Sequence, residues 1–372
     1  MAVEAETETK GGENATATVE EPKKVIEEET KTEEAKEEKD TKKDDAKKKE
    51  KPATKEPAPP KPTVHKVDFE KDVVYLYQFS RTSLLPSLSP FCLKTETWLR
   101  VNKVNYENVD HKMRYRSKKG LLPFVELNGE EINDSANIIK ELGKRFDMDL
   151  DKNLTTEQHV LAHTTCSMIE NHLYWVLYWW RSKYPGRFLK GSQFNMQEAL
   201  GSRIPKPVLD FVFKLRFRQG QKRVRAHGLG VHSAEEIEEF GRSDLQTLSE
   251  LLGEKEYFFP GTEPTLLDIT AFSVLAQFIY FETKDAPFPL HDWLQENCKN
   301  LQNFVERMKD RFYPDWKEMC ETLDLNTHKP KPPPEEKKEE EKKEEDKKTE
   351  DKKQEEPAAP KEEAKNEVEK KD

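Results

Sequence analysis

The apolar residues lie mostly in the middle of the chain, and their spacing changes along it. Residues 73–77 form an apolar run rich in Val and Tyr, which is typical of a buried strand. Residues 91–101 then carry apolar side chains at helical spacing behind Pro90, a residue favoured in the first turn of a helix. The pattern therefore predicts a strand followed by a helix.

The next elements alternate between strands and a second helix. Residues 106–109 and 121–127 are predicted strands, and the pair Asn128-Gly129 predicts a tight hairpin turn into a strand at 130–132. Residues 136–146 have the spacing of a helix. Strand, helix, strand, hairpin and helix is the order of the thioredoxin fold.

Later residues have helical patterns only. From Thr155 to Trp180 the apolar positions recur at intervals of three and four, which is the period of one helix face. A nearly all-apolar helix through Ile279 must lie at the centre of its bundle, and a final helix is predicted over residues 301–320. Three capping boxes are predicted: Thr155 with Gln158, Ser233 with Glu236, and Thr265 with Asp268.

Composition separates this middle part from both ends. All six Trp, ten Tyr and nineteen Phe lie within residues 67–328, whereas residues 1–66 and 329–372 are rich in Glu and Lys. Such ends bury too little apolar surface to offset the entropy of ordering. We therefore predict four parts: a disordered charged tail at 1–66, a thioredoxin-like domain at 67–148, a helical domain at 149–328, and a disordered Glu/Lys tail at 329–372.

Charge and cysteine content exclude several classes of protein. The net charge is −10, which argues against general attraction to nucleic acid. The four Cys residues have neither paired nor zinc-type spacing, so we expect reduced thiols and no metal site. No apolar segment reaches the ~20 residues of a membrane-spanning helix, and the first residues lack the apolar core of a secretory signal. A cytoplasmic location is expected.

Several motifs in the right order carry a family resemblance. They are Val74–Arg81, Ser87–Trp98, Leu122-Pro123, Asn133–Ser135 and Phe258–Asp268. Together they resemble the glutathione-transferase-related domain of the Failed axon connections family, which metaxins share, over about residues 69–323. The resemblance implies a glutathione-transferase fold, with an N-terminal thioredoxin-like domain and a C-terminal helical domain. It also implies protein partners and a homodimer through the first domain.

The resemblance further implies a glutathione site. Leu122 precedes the expected cis proline, Pro123, and matches the residue whose backbone meets the cysteinyl part of glutathione. Asp134 and Ser135 match the residues that hold the γ-glutamyl group, and a helix N-terminus suits a carboxylate. The same two side chains could instead serve only to cap the helix. Thr265 and Asp268 match a folding cap and are assigned no catalytic role.

Ser89 occupies the position where related redox proteins carry a nucleophilic Cys. Cys92 alone cannot run a dithiol cycle with a Ser, so a disulfide oxidoreductase is not expected. A Ser89 hydroxyl could hold a glutathione thiolate by a hydrogen bond, although the apolar loop at 79–89 is longer than the tight turn of such enzymes. Cys92 is the other catalytic candidate, or simply a small buried side chain.

Three functions follow from the resemblance. The first is a glutathione-transferase-like protein that acts by interaction in axon growth and neuronal development. The second is an active transferase that uses Ser89. The third is a metaxin-like role in mitochondrial import, for which the charged C-terminal tail supplies no apolar anchor.

One basic and aromatic stretch has two interpretations. Residues 211–218 alternate Phe, Val and Leu with Lys and Arg, and further bases follow at 222–225. Such a stretch could form a surface for anionic lipid or RNA. It could equally be a helix with a solvated basic face, and the resemblance places helices in this half of the chain.

Overall fold

The computed structural model describes residues 64–112, 114–200 and 202–330. The disordered tails predicted at either end lie almost wholly outside these residues. The domain division at residue 148 stays a prediction, while the fold class is confirmed: a four-stranded sheet with two helices is followed by helices only.

A mixed sheet forms the first part. Its strands are β1 (Val74–Gln78), β2 (Tyr106–Asp110), β3 (Phe124–Leu127) and β4 (Glu130–Asn133). They lie in the order β2-β1-β3-β4, with β1 parallel to β2 and the other neighbours antiparallel. Asn128 and Gly129 both have positive φ in the hairpin turn, as the sequence predicted. This is the thioredoxin order expected from the pattern.

Two helices cover one face of the sheet. They are α1 (Pro90–Val101) and α2 (Ser135–Phe146). The two helices contact each other, and both contribute to the core that contains the sheet residues Val74, Leu76 and Val125. Tyr77 and Phe124 project from the opposite face, where their rings stack with centroids 4.3 Å apart. The ring of His65 lies within 5.7 Å of both, so residues just before β1 help to cover this face.

The remaining elements are helical. They are α3 (Thr156–Met168), α4 (Tyr174–Lys183), α5 (Pro185–Gly191), α6 (Met196–Ala199), α7 (Lys206–Arg218), α8 (Gly220–His227), α9 (Ala234–Leu252), α10 (Leu266–Ile279), α11 (Pro289–Asn297), α12 (Lys299–Phe312) and α13 (Trp316–Thr322). A 3₁₀ turn at Leu229–Val231 precedes α9. As predicted, α10 is buried nearly throughout and contacts α1, α3, α12 and α11.

One long helical prediction is confirmed with a local difference, and another is wrong. The helix predicted from Thr155 to Trp180 is continuous, but a wider π-helical turn at Ile169–Leu173 joins α3 to α4. The helix predicted over residues 301–320 is two helices, because Pro314 lies between α12 and α13. The residue before a proline is disfavoured in helical geometry, and Tyr313 accordingly has φ −132° and ψ 58°.

The cap of α10 is buried. Asp268 accepts hydrogen bonds from the Thr265 amide at 2.8 Å, from the Thr265 hydroxyl at 2.6 Å and from the Phe258 amide at 2.8 Å. Burial raises the pKa of Asp268, although these hydrogen bonds oppose the rise. The carboxylate therefore ties the start of the central helix to the aromatic turn before it. The capping boxes predicted at Thr155 and Ser233 are confirmed.

Candidate functional site

The sheet topology brings the predicted site positions to one end. Tyr77 lies opposite Phe124, and Phe124 lies opposite Asn133. The end of β1, the start of β3 and the end of β4 therefore lie side by side. Because α1 connects two parallel strands, its N-terminus at Ser89 belongs to the same end. Ser89, Leu122-Pro123 and Asp134-Ser135 thus share one edge of the sheet.

The bond between Leu122 and Pro123 is cis, as the resemblance implied. Asp134 is the N-cap of α2: its carboxylate accepts from the amides of Ala136 at 3.1 Å and Asn137 at 3.4 Å. Its φ of 74° is unusual for a residue with a side chain, and such strained backbone is often found at ligand sites. Ser135 is buried beside it, while Asp134 is exposed.

Ser89 is the N-cap of α1. Its hydroxyl oxygen accepts a hydrogen bond from the Cys92 amide at 3.4 Å. Pro90 has no amide hydrogen, and the Cys92 amide is used by the cap. The Phe91 amide is therefore the one left in the first turn that could face the thiolate of a bound glutathione. The Ser89 hydroxyl accepts in this contact, so its own proton can be donated, and the Cys92 sulfur is one acceptor within its reach.

Cys92 is fully buried one turn further along α1. Burial raises the pKa of its thiol to about 11, and hydrogen bonds from Ser89 and Ser87 oppose the rise only in part. The thiolate is the nucleophilic form, and at neutral pH a thiol with this pKa is almost wholly protonated. The geometry therefore favours the buried, unreactive interpretation of Cys92 over the catalytic one.

A buried ion pair fixes the loop that leads to Ser89. Arg81 Nη1 lies 2.6 Å from Glu96 Oε2 and Arg81 Nη2 lies 2.7 Å from Glu96 Oε1. Burial alone would raise the pKa of Glu96, but the charge and hydrogen bonds of Arg81, with help from Arg100, lower it well below its usual range. Nothing in the sequence pattern indicated this pair, because its partners lie on a loop and in mid-helix.

The helical part of the chain holds the other end of the same loop. Arg181 Nη1 donates to the Leu88 carbonyl at 2.7 Å, and Arg181 Nη2 donates to Gln277 Oε1 at 2.7 Å. Gln277 Nε2 donates in turn to the Ser87 carbonyl at 3.0 Å. Burial lowers the pKa of Arg181 to about 10. In the sequence, the one feature that could have indicated this role of Arg181 is its position as a charged residue directly after an aromatic run.

Residues near the end of the described chain pack beside this loop. The Leu325 carbonyl accepts from Arg81 Nη2 at 2.7 Å, and Asn326 bonds to the Asn108 amide at 2.7 Å and its carbonyl at 3.0 Å. Lys329 Nζ reaches Glu107 at 2.8 Å. The segment thus covers the outer edge of β2 and closes the space above the Arg81–Glu96 pair.

A cavity of about 390 Å³ lies elsewhere, at the far end of α2. Trp98, Gly143, Met148, Leu150 and Leu266 contribute to its lining, and none of the predicted glutathione residues does so. Over the described residues, no group of three or more His, Cys, Asp or Glu side chains is arranged to hold a metal ion. Nor does any helix there combine the length and apolar character needed to cross a bilayer.

Comparisons with known proteins agree with this architecture. The Glutathione S-transferase N-terminal domain family matches residues 90–185, and the Glutathione S-transferase, C-terminal domain family matches residues 241–308. Failed axon connections of Drosophila melanogaster is 58% identical over 282 residues, which are 75% of this chain and 67% of that protein.

More distant relatives include enzymes. Isoprene-epoxide–glutathione S-transferase of Rhodococcus sp. strain AD45 is 26% identical over 245 residues, 61% of this chain and 94% of that protein. Among solved structures, the beta-etherase LigF from Sphingobium sp. strain SYK-6 aligns with a TM-score of 0.44 and 17% identity, over 67% of this chain and 99% of that one.

Proposed function

Since the chain belongs to the Failed axon connections family of glutathione-transferase-like proteins, we propose that it acts in axon development by binding other proteins, with little or no transferase activity of its own. In this proposal the folded domain presents rigid surfaces that bind partner proteins. We place this activity in the cytoplasm.

The donor set at the start of α1 is the observation that carries the proposal. A thiolate there would meet the Ser89 hydroxyl and the Phe91 amide, since Pro90 has no amide hydrogen and the Cys92 amide is bonded to Ser89. Preorganised donors aimed at the reacting charge are usually the largest source of catalysis. So small a set supports weak activation of a thiol at best.

We propose that glutathione, if bound, lies across Leu122, Pro123, Asp134 and Ser135. Isothermal calorimetry with reduced glutathione tests this on the full chain. Asp134→Asn keeps the helix cap, because Asn is also a good N-cap, but removes the charge that would meet the ligand's amino group. We expect binding to weaken at least about tenfold, as for a lost charge-assisted hydrogen bond. Glu157→Gln, in the exposed first turn of α3, is the control.

The hydroxyl donor of Ser89 at the start of α1 favours a second candidate function, glutathione conjugation. A hydroxyl that accepts from the Cys92 amide keeps its proton, and it could donate this proton to the sulfur of glutathione and hold that sulfur ionised. The test is conjugation of glutathione to a chlorodinitrobenzene by the purified protein, by Ser89→Ala and by Ser83→Ala, a Ser of the same loop bonded to Gln193. Turnover well above background that Ser89→Ala abolishes and Ser83→Ala preserves would establish the enzyme and displace the first proposal.

The developmental role needs a test in neurons. The endogenous protein is depleted in growing neurons, and the wild type or a Ser89→Ala, Asp134→Asn double variant is supplied. The interaction proposal expects both to restore axon growth equally. Rescue by the wild type alone would show that the site matters, and normal axons after depletion would contradict the role itself.

A further inference from the structure

Helix α7 is apolar on two opposite faces. Its inner face carries Leu209, which is buried, and Phe213 and Phe217, whose rings lie 6.2 and 5.1 Å from that of Phe188. These contacts fix the helix against α5. An amphipathic surface helix would be polar on the side turned away from them.

The outer face instead exposes a strip of apolar side chains. They are Ile204, just before the helix, and Val208, Phe211, Val212 and Leu215, with exposed fractions of 49, 51, 62, 54 and 46%. The four that belong to the helix are spaced by three, one and three residues, which places them on one side of it, opposite Leu209 and Phe213. From Val208 to Leu215 these four side chains cover about 10 Å along the helix axis.

The charges around this outer strip are almost all positive. Residues 203–225 contain eight Lys or Arg residues and one acidic residue, Asp210, although the whole chain has a net charge of −10. By helical geometry Lys214 and Arg218 lie beside the strip on one side and Arg216 lies on the other. Asp210 is on the inner side, with its Oδ1 atom buried. The outer half of α7 is therefore apolar along its centre and basic along both edges.

We propose that the outer strip of α7 docks on the anionic surface of a lipid membrane. A helix that lies in the interface buries its apolar side chains at the level of the headgroups, and flanking Lys and Arg side chains reach the lipid phosphates and carboxylates. Charge complementarity selects the anionic surface, since negative leaflets attract clusters of this density.

The form of the strip favours a membrane over other occupants. Helix α7 and Ile204, two residues before it, supply all five side chains. They therefore form a ridge, which a deformable lipid interface accommodates without a matching groove. The charged ends of this chain make poor occupants: residues 1–63 and 331–372 contain no aromatic residue and few large apolar ones. A second copy of the chain would bring the same basic edges into contact, and like charges repel.

Co-sedimentation of the full chain with vesicles tests the proposal. One set of vesicles contains phosphatidylserine in phosphatidylcholine, and the other contains phosphatidylcholine alone. We expect binding to the first set, reduced by salt and weak or absent with the second. Phe211→Ser with Leu215→Ser should weaken binding at least about tenfold. Lys214→Gln with Arg218→Gln should weaken it about 25-fold, because each basic side chain contributes about fivefold to the affinity.

Matched variants separate the strip from general effects of composition. Val160→Ser with Leu161→Ser removes two exposed apolar side chains of α3, and Lys140→Gln with Lys144→Gln removes two exposed bases of α2. Both controls should bind as the wild type does, and all four variants should keep the wild-type circular dichroism spectrum and melting temperature.

Three results would overturn the proposal. The first is no binding to phosphatidylserine vesicles, and the second is binding that both α7 variants retain, which would assign it to another basic region. The third is a lipid-free dimer in sedimentation velocity that Phe211→Ser with Leu215→Ser converts to monomer, because the strip would then be an interface between copies. None of these readouts depends on glutathione or on the developmental role.

Discussion

The guanidinium of Arg81 and the carboxylate of Glu96 form a two-point ion pair from which water is excluded, since neither side chain is exposed. Arg100, one turn after Glu96 on α1, lies 3.6 Å from the same carboxylate and pairs with Asp315 at 2.6 Å. The pair joins the loop at 79–89 to the helix that this loop introduces. The position of Ser89 therefore depends on a contact two turns beyond it.

Removal of the Glu96 charge should destabilise the fold strongly. Glu96→Gln leaves Arg81 buried without its anion, a change that costs about 3–5 kcal/mol in the free energy of unfolding. Urea denaturation measures the loss. The double variant Arg81→Met, Glu96→Leu should lose less than Glu96→Gln, because no uncompensated charge remains. A single variant as stable as wild type would contradict the buried pair.

The same pair makes stability sensitive to acid. The pKa of Glu96 is lower in the folded chain than in the unfolded one, so the unfolded state binds more protons as pH falls. The stabilisation by the ionised Glu96 is complete above the pKa of the unfolded chain, about 4.5, and is lost as pH falls through the pKa of the folded chain. Urea titrations from pH 6 to pH 3 should show a steeper decline for the wild type than for Glu96→Gln. Parallel declines would argue against the low pKa.

Arg181 should hold the loop at 79–89 against local opening. Arg181→Met removes its hydrogen bonds to Leu88 and Gln277, and a bond from a charged donor contributes about 1.5–3 kcal/mol. Amides of the loop should then exchange with deuterium about 10–100-fold faster, as followed by mass spectrometry. Arg187→Met, which removes a contact with the Tyr184 ring, is the control. Unchanged exchange in the loop would show that Arg181 does not restrain it.

Asp268→Ala should destabilise the chain more than the loss of an exposed cap. It leaves the amides of Thr265 and Phe258 buried without acceptors, at about 1–3 kcal/mol for each. Thr155→Ala removes a comparable but exposed capping box and should cost about 1 kcal/mol. Thermal and urea unfolding give both values. Equal losses would mean that burial of the α10 cap is unimportant.

Cys92 should resist alkylation while the chain is folded. Burial raises the pKa of both Cys92 and Cys320 to about 11, but Cys92 is fully buried, whereas Cys320 is partly exposed and can be reached by a reagent. Brief treatment with iodoacetamide at neutral pH, followed by peptide mapping, should modify Cys320 ahead of Cys92. Both should react in urea. Modification of Cys92 at the rate of a free thiol would restore it as a catalytic candidate.

Much of the fold and the outline of the site could be predicted from the sequence, because strands, helices, hairpins and capping boxes depend on residues close together in the chain. The turn at Asn128-Gly129 and the cap at Asp134 are of this kind. Even the shared edge of Ser89, Pro123 and Ser135 follows from the order of the elements. Pro314 is also a local signal, since the residue before a proline is disfavoured in helical geometry and the helix ends there.

Contacts between distant segments were decided by the tertiary structure. The bonds of Arg81 to Glu96, of Arg181 to the Leu88 carbonyl and of Asn326 to Asn108 span 15, 93 and 218 residues, and no local pattern specifies them. The exposed strip on α7 is similar, since helical spacing identifies apolar faces but only packing shows which of them meets the core. The periodicity of apolar residues gives their angular position around the helix axis. Which face is buried depends on the distant segments of the chain that pack against the helix.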